Sequence, residues 1–444
     1  IETTELKTIN DATDGSITLS DGSQSLSGTA SELVDALHGT INFSGNVTVT
    51  GTYDVTQLKT INDATSGTIT LATTNVSLSG TSSDLAAAFA GTVTEHTGTV
   101  AITNNNYTMA ELVTINNATT GTITLTHTAV AITGTTAQFA DALDGSINYT
   151  GDVTVTGSYT AAQLASINTG TTGSLTLDDP SVNLSGTSSN IAAAFAGTVT
   201  EHTGTITITN DDYTVSELKT INDGSTGTIT FETADTAISG TSSDLATALA
   251  NSNNYAGTVT VTNSDYTTAN LKVINDGTSG EIILNNPNVA LSGTSSDLAD
   301  VFAGTITTHT AAITVTNSNH TLAQLKAINN GSTGTITLAD YSVALSGTSA
   351  DVSAALDGSF AANYTGTAAL TDAHTLAELK TINNGTTNTI ALSDYGVALT
   401  GSTADVKAAL AGTFQDAYTG NVTLNDANGT GIAGADITTI EAAT

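Results

Sequence analysis

Apolar residues along this chain switch between two spacings every few residues. Between Asp54 and Gly67, Leu58 and Ile61 stand three apart, the spacing of one helix face. Asp54 precedes them as an N-cap, and Gln57 sits three residues on, as a capping box requires. Asn62-Asp63-Ala64-Thr65-Ser66-Gly67 is expected to break that helix. Thr68-Ile69-Thr70-Leu71 and Val76-Ser77-Leu78 alternate, which predicts half-buried strands. A second helix follows, capped by Thr81 with Asp84 at its third position. Its apolar stripe is Leu85, Ala88 and Phe89, and Gly91 is placed to end it. Strands are predicted over 92–94 and 99–103 before the next cap, Thr108 with Glu111. The predicted core is Leu58, Ile61, Ile69, Leu71, Val76, Leu78, Leu85, Phe89, Val100 and Ile102.

This pattern recurs from end to end. The leading helix leucine, or its apolar substitute, falls at Leu6, Leu33, Leu58, Leu85 and onward to Leu379 and Val406. Two unit types alternate. The step from the first type to the second, as from Leu6 to Leu33 or Leu58 to Leu85, is the same throughout. The return step, as from Leu33 to Leu58, varies slightly and lengthens only at the last, Val406 to Ile437. Such a period marks a stacked array rather than a single globular core, because each unit is too small to bury a core alone. Residues 41–50 return at 147–156 and 89–98 at 195–204, a shared offset, so two pairs were duplicated together. The expected fold is mainly β: a repeat β-solenoid with a short capped helix per unit of about 27 residues, paired into repeats of about 53. It forms one continuous array over 1–444, about eight pairs of units, with a partial unit at 430–444. Pattern leaves open whether one unit or one pair makes a full coil. Stacked strands predict a rod with layers about 4.8 Å apart.

Charge narrows the partners. The chain has 41 acidic residues against 7 lysines and no arginine, a net charge of −34. Phosphate recognition needs clustered Lys and Arg, so nucleic acid is excluded as an expected partner. Anionic membrane surfaces are disfavoured for the same reason. No apolar run approaches the ~20 residues that span a bilayer. Cysteine is absent, so no disulfide framework exists. With 39% apolar residues at regular positions, the chain is read as ordered despite its charge. It opens at Ile1 without an initiator Met, which is expected of a processed product or a segment of something longer.

Little in the sequence points to catalysis. Of His38, His96, His127, His202, His309, His320 and His374, only His96, His202 and His309 share a repeat position. No nucleophile elbow, zinc helix or P-loop motif is present, so these are read as surface or loop histidines and no catalytic residue is assigned. Calcium is the one cofactor considered. Candidate carboxylates are the pairs Asp178-Asp179 and Asp211-Asp212, and the Ile-Asn-Asp residues Asp11, Asp63, Asp223 and Asp276. Asn117, Asn330 and Asn384 take the same slot, which fits turns or caps as well as ligation, so no metal ligand is assigned. Lys7, Lys59, Lys219, Lys272, Lys326 and Lys380 each follow the first-type leucine, and Lys407 follows Val406; they read as a solvated helix face beside acidic neighbours. Thr-x-Thr triplets raise ice binding, but they are scattered and read as ordinary strand surface. Pro180 and Pro287 share the slot between two strands, later held by Tyr341 and Tyr395.

The segments Leu78–Ala87, Leu58–Asp63 and Gly67–Leu71 carry a resemblance. In style they are similar to giant acidic Thr/Asn/Gly-rich repeat proteins that marine bacteria and cyanobacteria place on their surfaces, including adhesin-like, S-layer-associated and fibre-forming members. The resemblance implies a non-enzymatic extracellular structural protein at the cell surface: a spacer, surface-layer element or head-to-tail fibre subunit. The alternative is an adhesin stalk or a carbohydrate-binding module that recognises cell-surface glycans. Expected partners are further repeats of a longer chain or a second copy joined head to tail.

Overall fold

A computed structural model describes residues 1–143, 147–427 and 431–444. Short helices and short strands alternate along all of them. The capping boxes form as the residues demand. Gln57 N donates to Asp54 Oδ1 at 2.8 Å, and Asp54 N donates back to Gln57 Oε1 at 3.1 Å. Asp84 N donates to Thr81 Oγ1 at 3.2 Å, opening the second-type helix Ser82–Ala88. Gly91 then takes φ +78°, a left-handed turn that a side chain would strain.

The first-type helix runs further than its sequence suggests. It spans Val55–Ala64, so Asn62 and Asp63 continue the helix instead of breaking it. Both have partners that make helical geometry favourable. Lys59 Nζ reaches Asp63 Oδ2 one turn on at 3.0 Å, and Asn62 reaches into the next layer. The chain turns at Thr65 and crosses the preceding layer at Gly67, where a Cβ would strike the Gly45 carbonyl oxygen.

Strands assemble into small parallel sheets. In the first, Leu26 pairs with Val47 and Val47 with Ile69. The helices Ala30–Leu37 and Val55–Ala64 are the two crossovers that bring the chain back in the same direction. A short link then leads from Leu71 to Leu78, which starts a new sheet: Leu78 pairs with Val100 and Val100 with Ile123. The same βαβαβ module recurs from Ile132, Ile238, Leu291 and Leu345. Pro180 and Pro287 lie in such links and accept hydrogen bonds there from Thr203 N at 2.9 Å and Thr310 N at 3.0 Å.

All but the last sheet, which has two strands, stop after three, and strands and helices return at different intervals. The strand return, from Leu26 to Val47 or from Val100 to Ile123, is the shorter. The helix return, from Leu33 to Leu58 or from Leu58 to Leu85, is the longer. A ladder therefore slides along the helix column until helix ends seal it. On one side, Thr3 Oγ1 and Thr268 Oγ1 donate to the carbonyls of Ser27 (2.8 Å) and Ser292 (2.9 Å) in the first strand of a sheet. On the other, the third strand keeps one bridge, such as Ile69 to Val93, and His96 N donates to Ala118 O at 2.9 Å beyond it.

Helix accounts for 34% of the described residues and strand for 21%, so the expectation of a mainly β chain is not confirmed. The repeat fold itself is present as strand–helix units with small parallel sheets. The chain divides into two compact units: Ile1–Thr209 with Gly224–Gly227, and Asn210–Asp223 with Thr228–Thr444. Within each, consecutive helices pack on one another. Leu58, Ile61, Leu85, Ile69, Val100 and Ile102 are fully buried, as predicted. Val76 is not; it is half-buried in the link and contributes its carbonyl oxygen instead.

Leu245 lies fully buried in Ser242–Leu249, which packs between Val215–Asp223 and Thr268–Gly277. Replacing Leu245 with Ala is expected to destabilise the second unit by about 2–5 kcal/mol. Hydrogen exchange should show protection lost first in those three helices. Uniform loss along the chain would show that layers do not depend chiefly on their nearest neighbours.

Candidate functional site

Three seams of recurring polar side chains run through the layers. The first is asparagine. Asn10, Asn62, Asn116, Asn168, Asn222, Asn275, Asn329 and Asn383 each donate Nδ2–H to a carbonyl 25 residues on. Among these, Asn62 reaches Ala87 O, Asn275 reaches Asp300 O and Asn329 reaches Ala354 O, each at 2.7 Å. The acceptors belong to the last turn of the next helix, where carbonyls lack an intrahelical partner. Sequence reading took the Ile-Asn-Asp stretch as a turn and missed this clamp. The available signal was that Asn follows Ile in each of the eight complete first-type units, whereas the next residue varies.

The second seam is ionic. All 7 lysines pair with aspartate. Lys7, Lys59, Lys219 and Lys272 bridge to Asp11, Asp63, Asp223 and Asp276 four residues on. Lys272 also reaches Asp300 on the next helix at 2.7 Å, and Lys326 reaches Asp351 at 2.5 Å. Lys380 holds Asp405, and Lys407 holds Asp436. These pairs are solvent-exposed, so salt screens them and each adds little. They occupy the Ile-Asn-Asp carboxylates considered for calcium. Of the paired carboxylates, Asp179 makes a turn: Oδ1 accepts from Ser181 N at 3.0 Å and Ser181 Oγ at 2.6 Å, which holds its carboxyl below the ordinary range. Asp212 accepts from Asn210 Nδ2 at 2.6 Å.

The third seam is aromatic, and here the histidines depart from expectation. His38 and His127 are exposed, as the sequence suggested, but His96, His202, His309, His320 and His374 are buried. They fill two slots that are otherwise held by tyrosine or, once, by Phe43. One slot runs Phe43, His96, Tyr149, His202, Tyr255, His309, Tyr364 and Tyr418, one ring for each pair of units. Its polar tip meets a link carbonyl in the preceding layer: His96 Nε2 at Val76 O (2.8 Å), His202 Nε2 at Val182 O (2.7 Å), Tyr255 Oη at Thr236 O (2.6 Å). A ring with one N–H thus does the work of a phenol with one O–H. The other slot runs Tyr53, Tyr107, Tyr159, Tyr213, Tyr266, His320 and His374. Its tyrosines donate to carbonyls 20 residues on, as Tyr107 does to His127 O at 2.7 Å.

Rings from the two slots meet between successive modules. Tyr53 lies edge-on to His96 at 6.4 Å, and Tyr213 to Tyr255 at 6.3 Å. Burial pushes the phenols of Tyr53, Tyr159, Tyr266 and Tyr418 up to about 12. It pulls all five buried imidazoles below their ordinary range. Both shifts keep the rings neutral at pH 7, as donors to a backbone carbonyl or a hydroxyl. Among the described residues no three His, Asp or Glu side chains gather where a metal could sit. An open groove of about 480 Å3 runs between helices Leu322–Gly331 and Ser349–Leu356, lined by Phe302, Leu322, Asn330 and the Lys326–Asp351 pair.

Two substitutions test the seams. Asn329→Ala leaves the Ala354 carbonyl without its donor and should lower stability by about 1–3 kcal/mol in urea unfolding. An unchanged midpoint would show that the clamp is incidental. His202→Tyr keeps the donor to Val182 O and should be tolerated, whereas His202→Phe orphans that carbonyl and should cost about 1–3 kcal/mol more. Equal stability of the two variants would count against the donor role.

No protein-family model matches the chain, and no curated protein is detectably similar to it in sequence. No helix among the described residues is long and apolar enough to cross a membrane.

Proposed function

We propose that this chain is a non-enzymatic structural repeat protein that works outside the cell as a spacer, a surface-layer element or a fibre subunit. The observation that carries this reading is where the recurring polar groups go. Asn62 and its equivalents, the polar buried rings and the lysines bind backbone, hydroxyl or carboxylate groups. The side chains repeated most faithfully therefore fasten one layer to another, as expected of an element whose product is length. The stack is read as a solenoid, and its resemblance to acidic surface repeat proteins of marine bacteria and cyanobacteria fits the net charge of −34. Assembly proceeds through further repeats or head to tail with a second copy, a contact that does not close on itself.

One observation favours a second reading, an adhesin stalk or glycan-binding module. In some sheets the outward residues bring hydroxyls into register, as in Ser27–Thr48–Thr70 and Thr133–Thr154–Thr176. Two measurements separate the readings. Fractionation of the source cells with mass spectrometry should place the protein in the surface or secreted fraction, and negative-stain microscopy should show filaments or a lattice. Dispersed particles retained on a glycan array would favour the second reading. Recovery from the cytosol alone would overturn both.

A further inference from the structure

The buried histidines fall into two classes. In the first unit, His96 Nε2 faces Val76 O, and His96 Nδ1 lies 3.3 Å from Thr119 Oγ1. Thr119 gives its own proton to the His96 carbonyl at 2.8 Å, so a hydroxyl lone pair is turned toward Nδ1. His202 repeats this with Ser225 Oγ at 3.3 Å. A second proton on either ring would find an acceptor.

In the second unit it would not. His309 Nε2 faces Val289 O at 2.6 Å. His320 Nε2 meets Tyr364 Oη at 3.0 Å, and Tyr364 donates its proton onward to Val343 O at 2.5 Å. His374 Nε2 meets Tyr418 Oη at 3.3 Å, and Tyr418 donates to Val397 O. Each of these partners can only accept from the imidazole, so the neutral ring carries its proton on Nε2. Nδ1 is then bare, and in all three rings it is buried with no hydrogen-bond partner.

From this geometry we propose that the second unit is an acid-sensitive element, in which protons arriving at His309, His320 and His374 loosen its aromatic seam before the seam of the first unit opens. A second proton must go to Nδ1, where it is buried without an acceptor. The surroundings act in both directions. Asp340 faces His320, and Asp394, Glu378 and Asp372 face His374; all four carboxylates favour the charged ring. His309 has the Phe302 ring and the Val289 carbonyl beside it. Burial outweighs these carboxylates and holds all three rings below the ordinary histidine range. The sign follows: between the two ranges the unfolded chain binds more protons, so stability is full above about pH 6.5 and falls as pH drops below it.

The repeats supply the control. Tyr255 and Tyr364 hold the slot of His309, and Tyr213 and Tyr266 hold that of His320 and His374. The triple variant His309→Tyr, His320→Tyr, His374→Tyr therefore keeps a ring and a donor in every slot. Hydrogen-exchange mass spectrometry of the full chain, corrected for intrinsic rates, would compare pH 7.5 with pH 5. Protection in Thr228–Thr444 should fall roughly tenfold or more, ahead of the first unit, and the variant should abolish that fall. A variant as acid-labile as the parent, or two units that loosen together, would overturn the proposal. Proton NMR of the parent gives an independent reading that requires no variant: three imidazoles titrating in the folded chain at the ordinary histidine pH would also overturn it.

Discussion

Everything in this fold depends on backbone groups that one layer cannot satisfy for itself. A helix as short as Ser82–Ala88 or Val55–Ala64 leaves its last carbonyls without partners, and each link between strands exposes more. Isolated helices and strands of this length are marginal in water. The neighbouring layer supplies the missing donors: an asparagine to the helix end, a ring tip to the link, a strand to the strand. Hydrophobic stacking of Leu58, Leu85 and their equivalents brings the layers together, and these polar contacts specify how they meet.

What was legible in the sequence was what is encoded locally. Asp54 with Gln57, the Leu58–Ile61 face and the alternation at Thr68–Leu71 are complete within a few residues, and they form as read. What was hidden depends on partners in another layer, far along the chain. Asn62 looks like a helix breaker until Ala87 O is found beside it. His96 looks like a loop residue because Thr-Glu-His-Thr is polar, yet its slot is the one filled by Tyr149 in the next module. The expected dominance of strand is not confirmed, for the same reason. The pattern predicts strands over 92–94 and 99–103, but at the first only a single bridge forms, at Val93.

Charge and burial divide the labour. Every lysine is held by an aspartate, and with 41 acidic residues against 7 lysines most carboxylates have no lysine partner and repel one another. That repulsion opposes compaction and keeps separate chains apart. The interior answers it with groups that stay neutral: apart from Phe43, the same slots hold Tyr or His rings that donate one proton and carry no charge.

The unequal return of strands and helices has a consequence for how such a chain can change its length. A sheet that begins at Leu26 ends after Ile69–Leu71, and the next begins afresh at Leu78. Among the described residues no ladder runs across many modules, so no single register has to be preserved from one module to the next. Adding or removing a whole pair of units leaves every remaining sheet intact, whereas adding half a pair would cut one in two. Length can therefore change only in whole steps. The offset that carries 41–50 to 147–156 and 89–98 to 195–204 is two of those steps, a record of growth that the architecture could absorb without redesign.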